Sequence, residues 1–384
     1  MALKPTQQLQ ILKDIIGIPS ENQNEADVAD YIEKLFTPFP HVKIDRLTYA
    51  PDRDNIMVTV GNGHPTLILT GHMDTVKAGD LTKWTSDPFK AEVRNGKLYG
   101  RGASDMKSGL AAIIVTVLEI VQSGQPVTGT LKLIGTVGEE TGEYGAAQVT
   151  KAGWLDGADA VIIAEPNSGF HEITYTAKGV IDYRVTSKGK SAHSARPHLG
   201  INAIDKLLNF YQRMQTAMQQ FDQVDPVLGE VVHNVTLING GEQVNTIPEE
   251  ASLMGNIRTI PAYPNQMFYD VIEGLIDDLN QDPTTDLKLE YSFPEEAVPG
   301  RADSPLMKLA QEVYEDLFGF VPEPVGSAGA NEAAEFVHAQ GDFDILDFGP
   351  GSETSHAIDE YVPVSDYQKA IAFYHAFSQA FFTK

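Results

Sequence analysis

Apolar residues recur at helical spacing near the start of the chain: Leu9, Ile11, Leu12, Ile15 and Ile16, then Val28, Tyr31, Ile32 and Leu35. The polar segment IPSENQNE separates the two sets, so two helices are predicted between residues 6 and 36. Further on the pattern changes to short β-rich apolar runs, NIMVTV, TLILT, LKLIGTV, AVIIA and, much later, FDILDF. Such runs suit strands buried on both faces. A long helical run, MKSGLAAIIVTVLEIVQ, lies between two of them. Strands alternating with helices predict an α/β domain with a mostly parallel sheet, whose ligands gather beyond the carboxyl ends of the strands.

The middle of the chain has a different rhythm. VIDYRVTSKG reads as a strand, about 202–221 as a helix, HNVTLING and ASLMGNIRTI as strands, 265–281 as a helix and LKLEYSF as a strand. This βαββαβ order predicts a small ferredoxin-like α+β unit. Because FDILDF resumes the character of the first sheet, the unit is expected to be an insertion at 178–293, between segments 1–177 and 294–384 of one domain.

Composition narrows the chemistry. With 384 residues and 42% apolar content the chain can bury a large core and build two or three domains. A formal net charge of −25 argues against a nucleic-acid or anionic-membrane partner, either of which would want a basic patch. The N-terminal segment has no long apolar stretch, and no run approaches the roughly 20 apolar residues of a membrane span, so a cytoplasmic protein is expected. The absence of cysteine excludes disulfides, thiolate ligands and a cysteine nucleophile. Any metal must be held by histidine and carboxylate.

Four predicted strand ends deliver such groups. TLILT is followed by His72 and Asp74, LKLIGTV by Glu139 and Glu140, AVIIA by Glu165, and FDILDF by a loop containing His356. The i, i+2 spacing of His72 and Asp74 lets the aspartate fix the imidazole's tautomer as metal-bound histidines require. Alone, the pair would more often be an ordinary hydrogen-bonded couple. Asp105 sits in the glycine-rich YGRGASDMKSG ahead of the long helix; alone it could be a helix cap. The adjacent Glu139 and Glu140 repel unless a cation or proton compensates, which suits one as ligand and the other as general base. His72, Asp105, Glu140, Glu165 and His356 together suit two divalent ions, naturally Zn²⁺, with Co²⁺ or Mn²⁺ as alternatives, sharing a bridging carboxylate. Glu139 would then pass a proton from water to a leaving amine.

The motifs GHMDTV, YGRGASDMKSGLAA, GEETGEYGA, AEP, GKSAHSARPHLGINAI and SHAIDEYV, spread over nearly the whole chain, resemble the M20 metallopeptidase family. The resemblance implies a zinc-exopeptidase-like catalytic domain with an inserted lid and dimerisation domain. It implies that His72 and Glu165 bind one ion, Glu140 and His356 the other, that Asp105 bridges, and that Glu139 is the acid/base. Asp74 becomes the partner of His72, and the peptide after Asp105 is expected to be cis. His193 in SAHSARP would stabilise the oxyanion, reaching across a homodimer in dimeric relatives, while Asn245 and Arg258 would hold substrate. Where relatives carry a G-G-T-D-A-like loop, this chain reads GSAGANEAAEF; Glu332 stands for the aspartate, and Gly326 to Gly329 permit close approach of backbone to ligand. The implied substrate is a small N-acyl amino acid, N-succinyl-diaminopimelate or N-acetylornithine, with dipeptides and a non-catalytic metal-dependent binding module as competing readings.

Overall fold

The computed structural model describes residues 3–383, apart from the side chain at 293. The chain opens with helices α1 (Pro5–Ile16) and α2 (Glu25–Phe36), each burying one apolar stripe, Ile11, Leu12, Ile15 and Ile16 in the first and Val28, Ala29, Ile32 and Phe36 in the second. Strands β1 (Lys43–Ala50), β2 (Arg53–Asn62) and β3 (Thr66–His72) follow, then α3 (Lys107–Ser123), β4 (Gly129–Thr136), α4 (Tyr144–Lys151), β5 (Ala160–Ser168) and β6 (Glu172–Ala177). Next come β7 (Gly179–Lys188), α5 (Ala203–Ala217), β8 (Val232–Gly240), β9 (Glu250–Thr259), α6 (Asn265–Leu279) and β10 (Asp286–Glu295). The chain ends with α7 (Pro305–Phe318), β11 (Glu323–Ser327), α8 (Ala333–Phe336), β12 (Asp344–Gly351) and α9 (Val364–Thr383).

Contacts divide the chain into two compact units, one comprising the chain up to residue 175 with 300–325 and 331 onward, the other 176–299 with 326–330. The first contains an eight-stranded sheet in the order β1-β2-β4-β3-β5-β12-β6-β11. Its centre, β4-β3-β5-β12, is parallel, whereas β1, β2 and β6 pair antiparallel with their neighbours. The expected parallel character therefore resides in the central strands, which carry the candidate residues, and the sheet as a whole is mixed. Every residue of β3 is buried, and so is every residue of α3 from Lys107 to Glu119. A helix apolar on all sides belongs inside a core, and this one packs among α1, α9 and the sheet.

The second unit has the strand order β8-β9-β7-β10, antiparallel throughout, the ferredoxin-like arrangement. Along β9 alternate residues turn inward, Ala251, Leu253 and Ile257 among them, meeting Leu207 and Phe210 of α5 and Phe268 and Ile272 of α6. The unit extends beyond the predicted 178–293 because Ala177 pairs with Val298, and Lys178 N–H donates to Ser327 O at 2.9 Å. Among the described residues no helix is long and apolar enough to cross a membrane.

Candidate active site

Parallel pairing aligns the carboxyl ends of the central strands. His72 closes β3 opposite Thr136 at the end of β4. Beyond Thr136 the chain turns at Gly138, whose φ of +71° favours glycine and whose added Cβ would stand 2.8 Å from Arg53. That turn presents Glu139 and Glu140. Glu165 lies on β5, and the segment after β12 presents His356. Asp105 comes from the loop before α3, and the Asp105–Met106 peptide is cis.

His72 is fully buried, with Nε2 3.2 Å from Asp105 Oδ1, 3.7 Å from Glu165 Oε1 and 3.9 Å from Glu139 Oε2. His356, about half exposed, places Nε2 2.9 Å from Glu140 Oε2 and 3.4 Å from Asp105 Oδ2. Each oxygen of Asp105 thus faces a different imidazole. Ligand atoms of His72, Asp105 and Glu140 all lie within 4.8 Å of one another.

Asp74 departs from the spacing argument. His72 Nδ1 lies 2.9 Å from the Asp74 main-chain carbonyl, whereas the nearer carboxylate oxygen is 3.6 Å away. The carboxylate instead accepts the N–H groups of Glu139 at 3.1 Å and Glu140 at 3.2 Å. Strand β3 ends at His72, so the two-residue alternation no longer governs where Asp74 points. The residue fixes the imidazole through its main chain and the Glu139–Glu140 turn through its side chain.

The site gathers negative charge where water is scarce. Burial raises the Glu139 and Glu165 carboxyls well above their ordinary range, and neighbouring carboxylates add to the effect. Burial likewise lifts Asp74 to about 6. For Asp105 burial acts upward, but the hydrogen bonds from His356 and His72 outweigh it and bring the group down. Burial works against charge on His72, yet its hydrogen bond to Asp105 and the charges of Glu139 and Glu165 hold it well above the normal imidazole value. Asp105 and Glu140 raise His356 to about 10. This is an environment that calls for cations. Glu165 Oε1 is buried with no hydrogen-bond partner among the described residues, an acceptor suited to a metal. Imidazole and carboxylate donors without thiolate suit Zn²⁺, Mn²⁺ or Co²⁺, so the residues present fit divalent ions.

Glu332 is fully buried, accepts a hydrogen bond from the Thr136 hydroxyl and is pushed by burial up to about 7. Asn331, beside it, donates to Asp347 Oδ2 at 2.8 Å. The remaining candidates belong to the second unit. Its short bridge pairs Ala192–His193 with Thr246–Ile247, and Ser194 N–H donates to Asn245 O at 3.0 Å, so His193 and Asn245 are neighbours. Arg258 lies on β9, its Nε donating to Asn256 Oδ1 at 3.2 Å. Gly329 is exposed and tied to the Ser327 hydroxyl. One residue the spacing did not single out is Glu360, whose carboxylate binds the Asp105 loop; its sequence signal was its place in SHAIDEYV, immediately before a short strand at Tyr361–Pro363.

Residues 68–380 match the family model of peptidase family M20/M25/M40. The chain belongs to this family. A probable succinyl-diaminopimelate desuccinylase of Staphylococcus aureus is 34% identical over 395 aligned positions, covering 95% of each chain. A solved tripeptidase from Staphylococcus aureus superposes with a TM-score of 0.80 at 20% identity, covering 100% of both chains. An M20 family metallo-carboxypeptidase from Sulfolobus solfataricus gives 0.79 at 20% identity over 98% of this chain and 99% of its own. These two share the fold. The M20 chain is a metal-dependent amidohydrolase, and the reading as a non-catalytic module is set aside.

Proposed function

We propose that this M20 enzyme hydrolyses the amide bond of an N-acyl amino acid, N-succinyl-LL-diaminopimelate first, using two Zn²⁺ ions. The observation that carries the two-ion reading is Asp105, whose two oxygens face His72 and His356 separately. His72 and Glu165 would hold one ion, Glu140 and His356 the other, with Asp105 shared. Ions bound there would polarise the substrate carbonyl and bring the pKa of a water toward neutrality. Glu139 takes the proton of the attacking water and returns it to the leaving amine. Asp74 holds the Glu139 main chain in place during this exchange.

The substrate reading draws support from the relatives named as desuccinylases. N-acetylornithine is the alternative substrate, followed by dipeptides, because the GSAGANE segment differs from the loop expected in better-known members. The second unit is proposed as lid and dimerisation domain, supplying His193 to the oxyanion and Arg258 and Asn245 to the substrate, with Arg258 suited to a bidentate grip on a carboxylate. Support for dimerisation lies in the edge strand β8, where Leu237 and Ile238 are more than half exposed on an edge that is unpaired among the described residues.

The deciding experiment compares metal-stripped enzyme, with and without added Zn²⁺, on N-succinyl-LL-diaminopimelate, N-acetylornithine and a dipeptide. Zinc-restored turnover with preference for the succinyl substrate is expected. Preference for another of the three moves the enzyme within its family, and turnover without any metal would sink the mechanism.

A further inference from the structure

The loop that carries Asp105 is wrapped around an internal anion. Glu360 has no exposed surface. Its Oε1 accepts the main-chain N–H groups of Ser104 at 2.7 Å and Asp105 at 2.9 Å, and its Oε2 accepts Gly102 N–H at 2.9 Å and Arg101 Nη1 at 2.6 Å. An ionised carboxylate offers about four lone-pair sites, and all are engaged. Neighbouring main-chain N–H groups form a concavity that takes an anion; here the chain supplies it from 255 residues away.

Glu360 follows His356 by four positions, at the end of the same segment. In that segment His356 has φ +64° and Asp359 has φ +56°, left-handed conformations uncommon for residues other than glycine. Such conformations persist where the surroundings over-determine them. The surroundings do so here, since Ser352 N–H donates to Ser104 Oγ at 2.9 Å on one side and Tyr361 pairs with Tyr99 on the other. One buried carboxylate therefore ties the loop bearing the shared aspartate to the loop bearing the outer imidazole.

We propose that Glu360 is a positioning residue that sets the separation of Asp105 and His356, and so the affinity and proximity of the two ions. The inference rests on the two-ion reading above. Glu360 acts through the main chain of Asp105, and its replacement by glutamine would turn an amide NH₂ toward a pair of N–H donors.

The test uses metal-free full-length protein and Mn²⁺ alone, without substrate, read by calorimetry and by electron paramagnetic resonance. Wild type is expected to take two ions that show a spin-coupled spectrum at two equivalents. Glu360→Gln should bind at least one ion about 10- to 100-fold more weakly and show the spectrum of uncoupled ions. A folded Glu360→Gln variant with the wild-type isotherm and coupled spectrum overturns the proposal, even if its metal-free melting temperature is lower, since that would be a structural role only. Should Glu360→Gln fail to fold, Glu360→Asp, whose shorter side chain withdraws the carboxylate from the N–H groups of Ser104 and Asp105, carries the test: a weaker isotherm and reduced coupling support the proposal, and unchanged ones overturn it. If wild type takes a single ion, the two-ion reading falls, and Glu360 is judged on that ion by the same comparison.

Discussion

At the scale of single residues, Glu139 and Asp347 make opposite demands on the proton. In the proposed mechanism Glu139 exchanges one during turnover, so Glu139→Gln should retain the metal of wild type by elemental analysis while kcat falls by at least about 10², the lower range of general acid–base catalysis. Full activity in that variant would refute its role. Asp347 is buried, and burial lifts its carboxyl from 3.8 to about 7, although Asn331 opposes the rise. Its raised value means the folded chain binds the proton more tightly than the unfolded one. The stability linked to that proton is complete below about 3.8 and is lost as pH climbs through about 7. Metal-free wild type should therefore lose up to about 4 kcal/mol relative to Asp347→Asn between pH 4 and pH 8, at 1.36 kcal/mol per pKa unit. Parallel stability curves for the two proteins would contradict this.

At the scale of elements, the approach of α3 to β5 is the tightest fit near the site. A Cβ at Gly109 would stand 1.9 Å from the Ala164 carbonyl oxygen, one residue before Glu165. Gly109→Ala should cost about 1–3 kcal/mol or more as the helix backs away, and Mn²⁺ affinity should fall because Glu165 moves with the strand. A Cβ added at Gly274, in the middle of α6, would meet no atom within 4 Å, and the backbone there is not left-handed. Gly274→Ala should be neutral or stabilising by about 0.5–1 kcal/mol. Denaturant melts of both variants, with Mn²⁺ titration of the first, check the pair; equal effects would show that helix propensity and not packing governs Gly109. The elements themselves were legible from hydrophobic period, α3 because its apolar run is long and continuous and β7 and β10 because apolar and polar positions alternate along them. The contact between Gly109 and Ala164 was not, since it depends on how closely two elements approach.

At the scale of the whole molecule, the exposed apolar edge of β8 is the feature that a monomer leaves unexplained. Leu237 is 55% exposed and Ile238 58%, on a strand whose outer edge has no partner among the described residues. Ile238→Glu should convert a dimer to monomers in sedimentation equilibrium, and turnover should fall with it if His193 serves the partner's site. A wild-type protein that sediments as a monomer at micromolar concentration would remove the dimer and the crossing role of His193 together, leaving the chemistry around Asp105 untouched.

The sequence by itself determined which residues could carry the chemistry. Period and strand-end position are local properties, so His72, Glu139, Glu140, Glu165 and His356 stood out wherever an apolar run gave way to a histidine or acid. The lack of cysteine narrowed the donors to imidazole and carboxylate. Only the tertiary structure decided how those residues face one another. It turned the two oxygens of Asp105 toward different imidazoles, gave His72 the carbonyl of Asp74 rather than its carboxylate, and seated Glu360 inside the Asp105 loop. Each outcome depends on ångström-scale registry between segments distant in the chain, which a pattern of apolar and polar positions does not encode.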